Sequence, residues 1–165
     1  MVEENINIEI HHQSSNRDYM DTLYTKGHLN PVSHNLGDGQ TATCTYTNAV
    51  PQLAHFNNVV WGAHEQDLQA ELLQHCPDPN IRYVLVGAVP SENTTIGREV
   101  NVPKQIWSAF CCARRDKHVE TGFRSGAFIA PNRNDNNVRV ERITVQDLQT
   151  KLGGGIQVFA DQCGI

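Results

Sequence analysis

At 165 residues, with 39% hydrophobic and 19% charged side chains, the chain is long enough to bury one core and too short for two ordinary domains, so residues 1–165 are read as a single domain. No apolar run approaches the length that spans a bilayer, which excludes a helical membrane span in these residues and predicts a soluble protein without a membrane partner. A formal net charge of −5 argues against generic coating of DNA, although a local positive cleft can coexist with an acidic remainder.

Met1 to Asn16 carries Glu3 and Glu4 and no basic-then-apolar leader, so no secretory signal is expected within it. Ile6, Ile8 and Ile10 alternate as in a short edge strand, and the neighbouring His11 and His12 read as surface residues. Tyr24 to Leu29 is a short segment running into Pro31, followed by a turn cluster at Gly37, Asp38 and Gly39. Thr41 to Asn48 alternates in β-forming residues and predicts a strand that Val50 and Pro51 break. From Phe56 the period becomes helical, with Val60, Ala63, Leu68, Leu72 and Cys76 near one stripe until Pro77.

Ile81 to Val89 is a continuous apolar run that reads as a buried central strand. Asn93, Thr94 and Thr95 form a glycosylation sequon, meaningful in a secreted protein. Ile106 to Cys112 and Gly122 to Ala130 read as paired β segments. The loop between them holds Arg114, Arg115 and Lys117, with Arg98 and Arg124 on either side; its ordinary reading is a solvated loop. Thr144 can cap a helix from Val145 to Leu152, with Asp147 completing a capping box, and Ile156 to Phe159 reads as a last short strand. The five cysteines, Cys44, Cys76, Cys111, Cys112 and Cys163, lack the spacing of a structural zinc site and fit two disulfides and a spare thiol in an oxidising compartment. On a strand, Cys111 and Cys112 point to opposite faces and have different fates.

One stretch carries chemistry. Gly27-His28 is followed by Asn48-x-x-Pro51-Gln52, with Asn57 nine residues beyond Asn48 and Trp61 and Glu65 four and eight further. In this order and spacing, "KGHLNP" and "TNAVPQLAHFNNVVWGAHE" resemble the DNA/RNA non-specific endonuclease family, the ββα-metal nucleases, and especially its endonuclease-domain-containing branch. "YVLVGAVP", "NVPKQIWSAFCC" and "ITVQDLQTKL" extend the resemblance from about residue 19 to residue 165.

The resemblance implies an α+β fold: a ββα-metal nuclease core with a mainly antiparallel central sheet and flanking helices. It implies a Mg²⁺-dependent endonuclease, with Mn²⁺ as a possible substitute, cutting DNA and RNA through contacts to the phosphate backbone. Phosphodiester hydrolysis needs a deprotonated water and neutralised phosphate charge. His28 suits the base, since imidazole is mostly neutral at pH 7. By resemblance Asn57 is the direct protein ligand to magnesium, a hard ion that keeps most of its waters. Asn48 steadies the site beside the base and Gln52 supports it from the same turn. Glu65 partners the metal-bound waters; on an α-helix it lies about 12 Å beyond Asn57 and roughly 80° around from it. Trp61 reads as packing. Lys26, Arg114 and Arg115 are the expected phosphate contacts.

The departures are specific. The family's usual Asp-Arg-Gly-His is Thr25-Lys26-Gly27-His28, which replaces a bidentate fork by a point charge. Gln69 stands where some relatives carry arginine, and the segment before Gly27 is short. These departures and the negative charge motivate the competing reading, a weak or inactive nuclease-fold protein that acts as a nucleic-acid-binding or interaction module. A zinc hydrolase built on the eight histidines is disfavoured, because no His-Glu-x-x-His helix is present.

Overall fold

The structure, a computed structural model, describes residues 13–113 and 124–160. Its order is α1 (Asn16–Tyr19), β1 (Tyr24–His28), α2 (Asp38–Ala42), β2 (Ala49–Leu53), a wide-wound turn (Phe56–Trp61) leading into α3 (Gly62–His75), β3 (Ile81–Ile96), β4 (Val100–Ala113), β5 (Arg124–Pro131), β6 (Glu141–Ile143) and α4 (Val145–Lys151). Two antiparallel sheets result: the ribbon β1-β2 and the four-stranded sheet β3-β4-β5-β6. The fold is α+β, with β1, β2 and α3 as the expected ββα unit.

The four-stranded sheet is the middle of three layers. Strand alternation sends Phe110, Cys112 and Phe128 to one face, where they meet Leu68, Leu72 and Cys76 of α3. Ala109, Cys111, Ala127 and Ile129 go to the other, against Val145 and Leu148 of α4. A third cluster, with Ile106 and Ala130 under Phe56 and Trp61, seats the start of the helical segment on the sheet, and Val50 and Leu53 of the ribbon pack against it. The stripe on α3 falls at Trp61, His64, Leu68 and Leu72, whereas Ala63 is exposed. Cys76 and Cys112 form a disulfide between the end of α3 and β4; Cys111 is also disulfide-bonded, and Cys44 is free.

Several expectations are corrected. Thr41 to Asn48 is no strand: Asp38–Ala42 is helical and Tyr46–Asn48 is a tight 3₁₀ turn. Its faces are Thr41, Thr43, Thr45 and Thr47 on one side and Ala42, Cys44, Tyr46 and Asn48 on the other, and neither is a continuous apolar row. The strand lies just after it, and Pro51 pairs within it opposite Lys26. Proline is tolerated because β2 has a strand on one side only. Ile81 to Val89 is an edge strand, with Ile81, Tyr83 and Leu85 exposed, because α4 packs over β4 and β5 and not over β3. Val158 and Phe159 are buried in the core without forming a strand.

The pairing of β4 with β5 is as expected, from Gln105↔Pro131 to Cys112↔Arg124. So is the capping box on α4: Asp147 N donates to Thr144 Oγ1 at 3.0 Å, and Thr144 Oγ1 donates to the Asp147 carboxylate at 2.7 Å. Ile6 to Ile10, Arg114, Arg115, Lys117 and Cys163 lie outside the described residues.

Candidate active site

The site is built on the ribbon, the chain leaving it, and the start of the long helical segment. His28 ends β1 opposite Ala49. It is half-buried, and burial lowers its pKa below the ordinary value, so the ring is neutral at pH 7.

Gly27, one residue earlier, has a steric reason. A Cβ there would stand 2.2 Å from Cδ of Gln52. Gln52 is wholly buried, and among the described residues neither its Oε1 nor its Nε2 finds a hydrogen-bond partner. Buried polar groups of this kind are uncommon, and they mark the floor of the ribbon as a place for a polar guest.

Thr25 holds the metal-ligand candidate. Its Oγ1 donates to the backbone oxygen of Gln52 at 3.1 Å and accepts from Asn57 Nδ2 at 3.0 Å. With its nitrogen so engaged, the half-buried Asn57 amide turns its Oδ1 away from Thr25. A lone neutral oxygen suits a hard, largely hydrated cation. No group of three or more His, Cys, Asp or Glu side chains among the described residues offers a softer or more charged site.

Asn57 lies in the wide turn Phe56–Trp61, whose hydrogen bonds run i→i+5. Such a turn winds less per residue than an α-helix. It therefore reduces the roughly 80° offset expected between Asn57 and Glu65 and draws them toward one face. Burial pushes the Glu65 carboxyl up to about 7, with Trp61 opposing in part. Trp61 itself is buried between Phe56 and His64, as packing requires.

Asn48 clamps the chain that leaves His28. Its Oδ1 accepts from Asn30 N at 2.8 Å, and its Nδ2 donates to the oxygens of Asn30 and Thr43, both at 2.9 Å. With every amide valence used inside the loop, it is a positioning residue. Gln69, in the place of an arginine, does similar work: its Nε2 donates to Ser33 O at 2.8 Å, and His34 Nε2 meets Glu65 O at 2.9 Å. Together they dock the loop on α3.

Lys26 is engaged elsewhere. Its ammonium hydrogen-bonds Asn16 Oδ1 and stands over the rings of Tyr19 and Tyr46, 5.8 and 5.3 Å from their centroids. Arg98, which flanks the basic stretch in sequence, is bound to Asp18 at 3.3 Å. Arg114 and Arg115 are not among the described residues.

Two contributors carried no sequence signal. Thr25 stood only as a departure from a motif, and Asn132 not at all. Asn132 is buried beyond β5; it accepts from Leu53 N at 3.0 Å and donates to the oxygens of Pro51 and Pro103, both at 3.0 Å. It takes the place of a neighbouring strand on the open side of β2. A single asparagine after a strand has no periodicity that could reveal this.

Comparison with known proteins gives the family and the fold. The family model described as DNA/RNA non-specific endonuclease matches residues 4–162. The chain is 35% identical over 153 residues to the endonuclease domain-containing 1 protein of Mus musculus and 33% identical over 152 residues to that of Homo sapiens. Each match covers 92% of this chain and 28% or 29% of the relative, so the chain spans less than a third of these relatives. Among solved structures, EndoG in its complex with EndoGI superposes with a TM-score of 0.69 at 20% identity, covering 92% of this chain and 64% of that one. At that identity the likeness is one of fold.

Proposed function

The chain belongs to the DNA/RNA non-specific endonuclease family, and on that premise we propose that it is a Mg²⁺-dependent endonuclease that hydrolyses phosphodiester bonds of DNA and RNA. The observation that carries this reading is the Thr25–Asn57 hydrogen bond, which leaves one amide oxygen beside the His28 strand for a hydrated ion. Bound there, Mg²⁺, or Mn²⁺ in its place, would neutralise charge on the phosphate and the departing oxygen. His28, neutral at pH 7, takes the proton of the attacking water. The water oxygen adds to phosphorus, the bond to the 3′-oxygen breaks, and that oxygen is protonated from solvent, leaving a 5′-phosphate.

Glu65 and the unpaired amide of Gln52 accept and donate hydrogen bonds to water around the ion. Asn48 keeps the base in place by holding Asn30. Lys26 reaches a phosphate oxygen by leaving Asn16, and Arg114 and Arg115 contact the strand backbone, contacts that carry no base information. The Cys76–Cys112 disulfide supports an oxidising, extracellular setting.

One observation favours the second reading, a binding or interaction module with little turnover: the ammonium of Lys26 is already occupied by Asn16 and two tyrosine rings. The readings separate on supercoiled plasmid and RNA, each with Mg²⁺ or EDTA, beside His28→Ala and Asn57→Ala. Cleavage that needs Mg²⁺ and falls about 10²–10⁴-fold in His28→Ala is the expected result. Absence of cutting by the wild type favours the module, and full activity in His28→Ala removes the base. Because burial lowers the pKa of His28, the rise of cleavage with pH should be centred below the ordinary imidazole value of about 6.5.

A further inference from the structure

The loop that follows His28 does not close onto α3 along its whole length. Between that loop, the far half of α3 and the edge strand β3 runs a cleft of about 510 Å³. Leu29, Asn30, Pro31 and Asn48 line it from the loop that leaves the candidate base, and Arg82 lines it from β3. Its volume lies within the range of small-molecule sites, and its lining divides about equally between apolar and polar groups.

Three features define what would fit. The aliphatic walls are Leu72 and Leu73 on α3 and Val84 and Val86 on β3, and Leu73, although large and apolar, is 56% exposed. The amides of Asn30 and Gln69 and the ring of His34 add hydrogen-bonding groups. The third feature is charge. In a protein of net charge −5, no carboxylate among the described residues lines this cleft, and Arg82 brings a cation to it; its Nε donates to Cys76 O at 2.7 Å, and its other contact, Asp78 at 3.3 Å, has a 93% exposed side chain and is easily exchanged. The cleft on the other side of α3, about 480 Å³, differs: Asp67 and Glu71 line it beside Arg139 and Arg142, and Arg142 is forked onto Glu71 at 2.7 and 2.9 Å.

We propose that the cleft between α3 and β3 is a nucleotide subsite, which takes one unstacked base of the nucleic acid against Leu73 and Val84 and the adjoining phosphate at Arg82. The proposal rests on the nuclease reading for its substrate class and deepens it. A slot with aliphatic walls and amides at its mouth accepts a flat heterocycle, an anion enters where there is a cation and no carboxylate, and the slot adjoins the loop that leaves His28. A base inside a duplex enters only after unstacking, at a cost of a few kcal/mol. Single-stranded RNA and DNA are therefore preferred over duplex. The aliphatic walls give shape without a base code, so the preference is for strandedness and not sequence.

The test separates binding from turnover. Full chain in EDTA is titrated with 5′-dTMP, with thymidine and with inorganic phosphate, and leucine and valine methyl resonances are followed. Saturable shifts of Leu73 and Val84 are expected with 5′-dTMP, weaker ones with thymidine, and none with phosphate alone. Leu73→Glu should remove them and Arg82→Gln should reduce 5′-dTMP to the level of thymidine, whereas Leu36→Glu, at a site 89% exposed and outside the cleft, should change nothing. In cleavage assays the ratio of single-stranded to duplex rates should fall about tenfold in Leu73→Glu, the loss of a contact worth about 1.4 kcal/mol.

Absence of methyl shifts, the same shifts with phosphate alone, or concentration-dependent self-association that buries Leu73 would overturn the subsite. Plasmid cleavage without 5′-dTMP shifts removes the subsite and leaves the nuclease reading. Shifts without cleavage under Mg²⁺ keep the subsite and remove the nuclease reading.

Discussion

The two sheets of this protein are held by different forces. In the four-stranded sheet, β4 has a partner on each side and apolar clusters on both faces. The ribbon has one ladder, and its open side and its ends are fixed by side-chain amides: Asn132 along β2, Asn48 at the loop, and Asn57 tied to Thr25. Burial is non-directional and tolerates exchange among similar shapes, whereas a hydrogen-bonded amide fixes an orientation. The sheet accordingly supplies stability, and the ribbon supplies geometry.

The sharpest way to break this division is to cut into each side separately. Leu148 of α4 is fully buried on the sheet face away from the ribbon. Leu148→Ala should cost about 2–5 kcal/mol in urea unfolding, with cleavage per folded molecule unchanged. A large loss of specific activity at full folding would show that the sheet shapes the site and not only its stability.

Acid should tell the two regions apart next. His64 of α3, buried with Nε2 at 2.9 Å from Ser108 Oγ, is held down at about 4 by burial, with His34 lowering it further and Asp67 and Glu71 raising it. The folded state disfavours its charged form, so the stability tied to it is whole above the unfolded value of about 6.5 and is lost as pH falls through 4, about 3 kcal/mol in all. Asp18 stabilises over a lower window. Burial raises its pKa, but hydrogen bonds from Arg98 and Ser15 outweigh this and bring it to about 2, so its contribution is lost between the unfolded value of 3.8 and that value. Glu65, raised to about 7, gains stability over nearly the same window as pH falls, so the His64 contribution is read as a difference: between pH 6.5 and 4 the urea midpoints of the wild type should fall relative to those of His64→Gln, while the decline at lower pH is shared.

Asn132→Ala is expected to cost less in stability, about 2 kcal/mol, because three hydrogen bonds are lost and the oxygens of Pro51 and Pro103 become unsatisfied. Its mark should be on function, with specific cleavage falling as β2 loosens under Gln52. Unchanged cleavage would mean that the β1 ladder holds β2 without help.

The same division explains what could be read from the residues alone. The lower part of the α3 stripe, at Leu68, Leu72 and Cys76, the β4–β5 pair and the Thr144 cap follow from period and capping chemistry and were legible, whereas at the start of the helix the buried positions are Trp61 and His64 in place of the expected Ala63. At Thr41 to Asn48 the alternation misled, because a period-2 pattern predicts a strand only when one of its faces is apolar. The edge position of β3 was hidden, since a run of apolar residues reads alike whether one face or both are covered. The candidate site was legible as a spacing from His28 to Glu65. Its supports were not, because Thr25, Asn30 and Asn132 act through single contacts that leave no pattern. The occupation of Lys26 by Asn16 and two rings was hidden for the same reason.

The smallest effect is the most discriminating. Thr25 and Thr144 each use a hydroxyl to hold a neighbour, one in the ribbon on Asn57 and one at the cap of α4 on Asp147. Thr25→Val and Thr144→Ala should each cost about 1 kcal/mol, a typical net value for a lost hydrogen bond or cap. Thermal melts should barely separate them. The Mg²⁺ dependence of cleavage should: without Thr25 the Asn57 amide turns freely, and the concentration of Mg²⁺ for half-maximal rate should rise about 3–10-fold, with the rate at saturating Mg²⁺ close to wild type. Thr144→Ala should leave that curve in place. If Thr25→Val leaves it in place too, Asn57 does not depend on Thr25 for its orientation, and the separation of geometry from stability fails at the residue where it is most exposed to test.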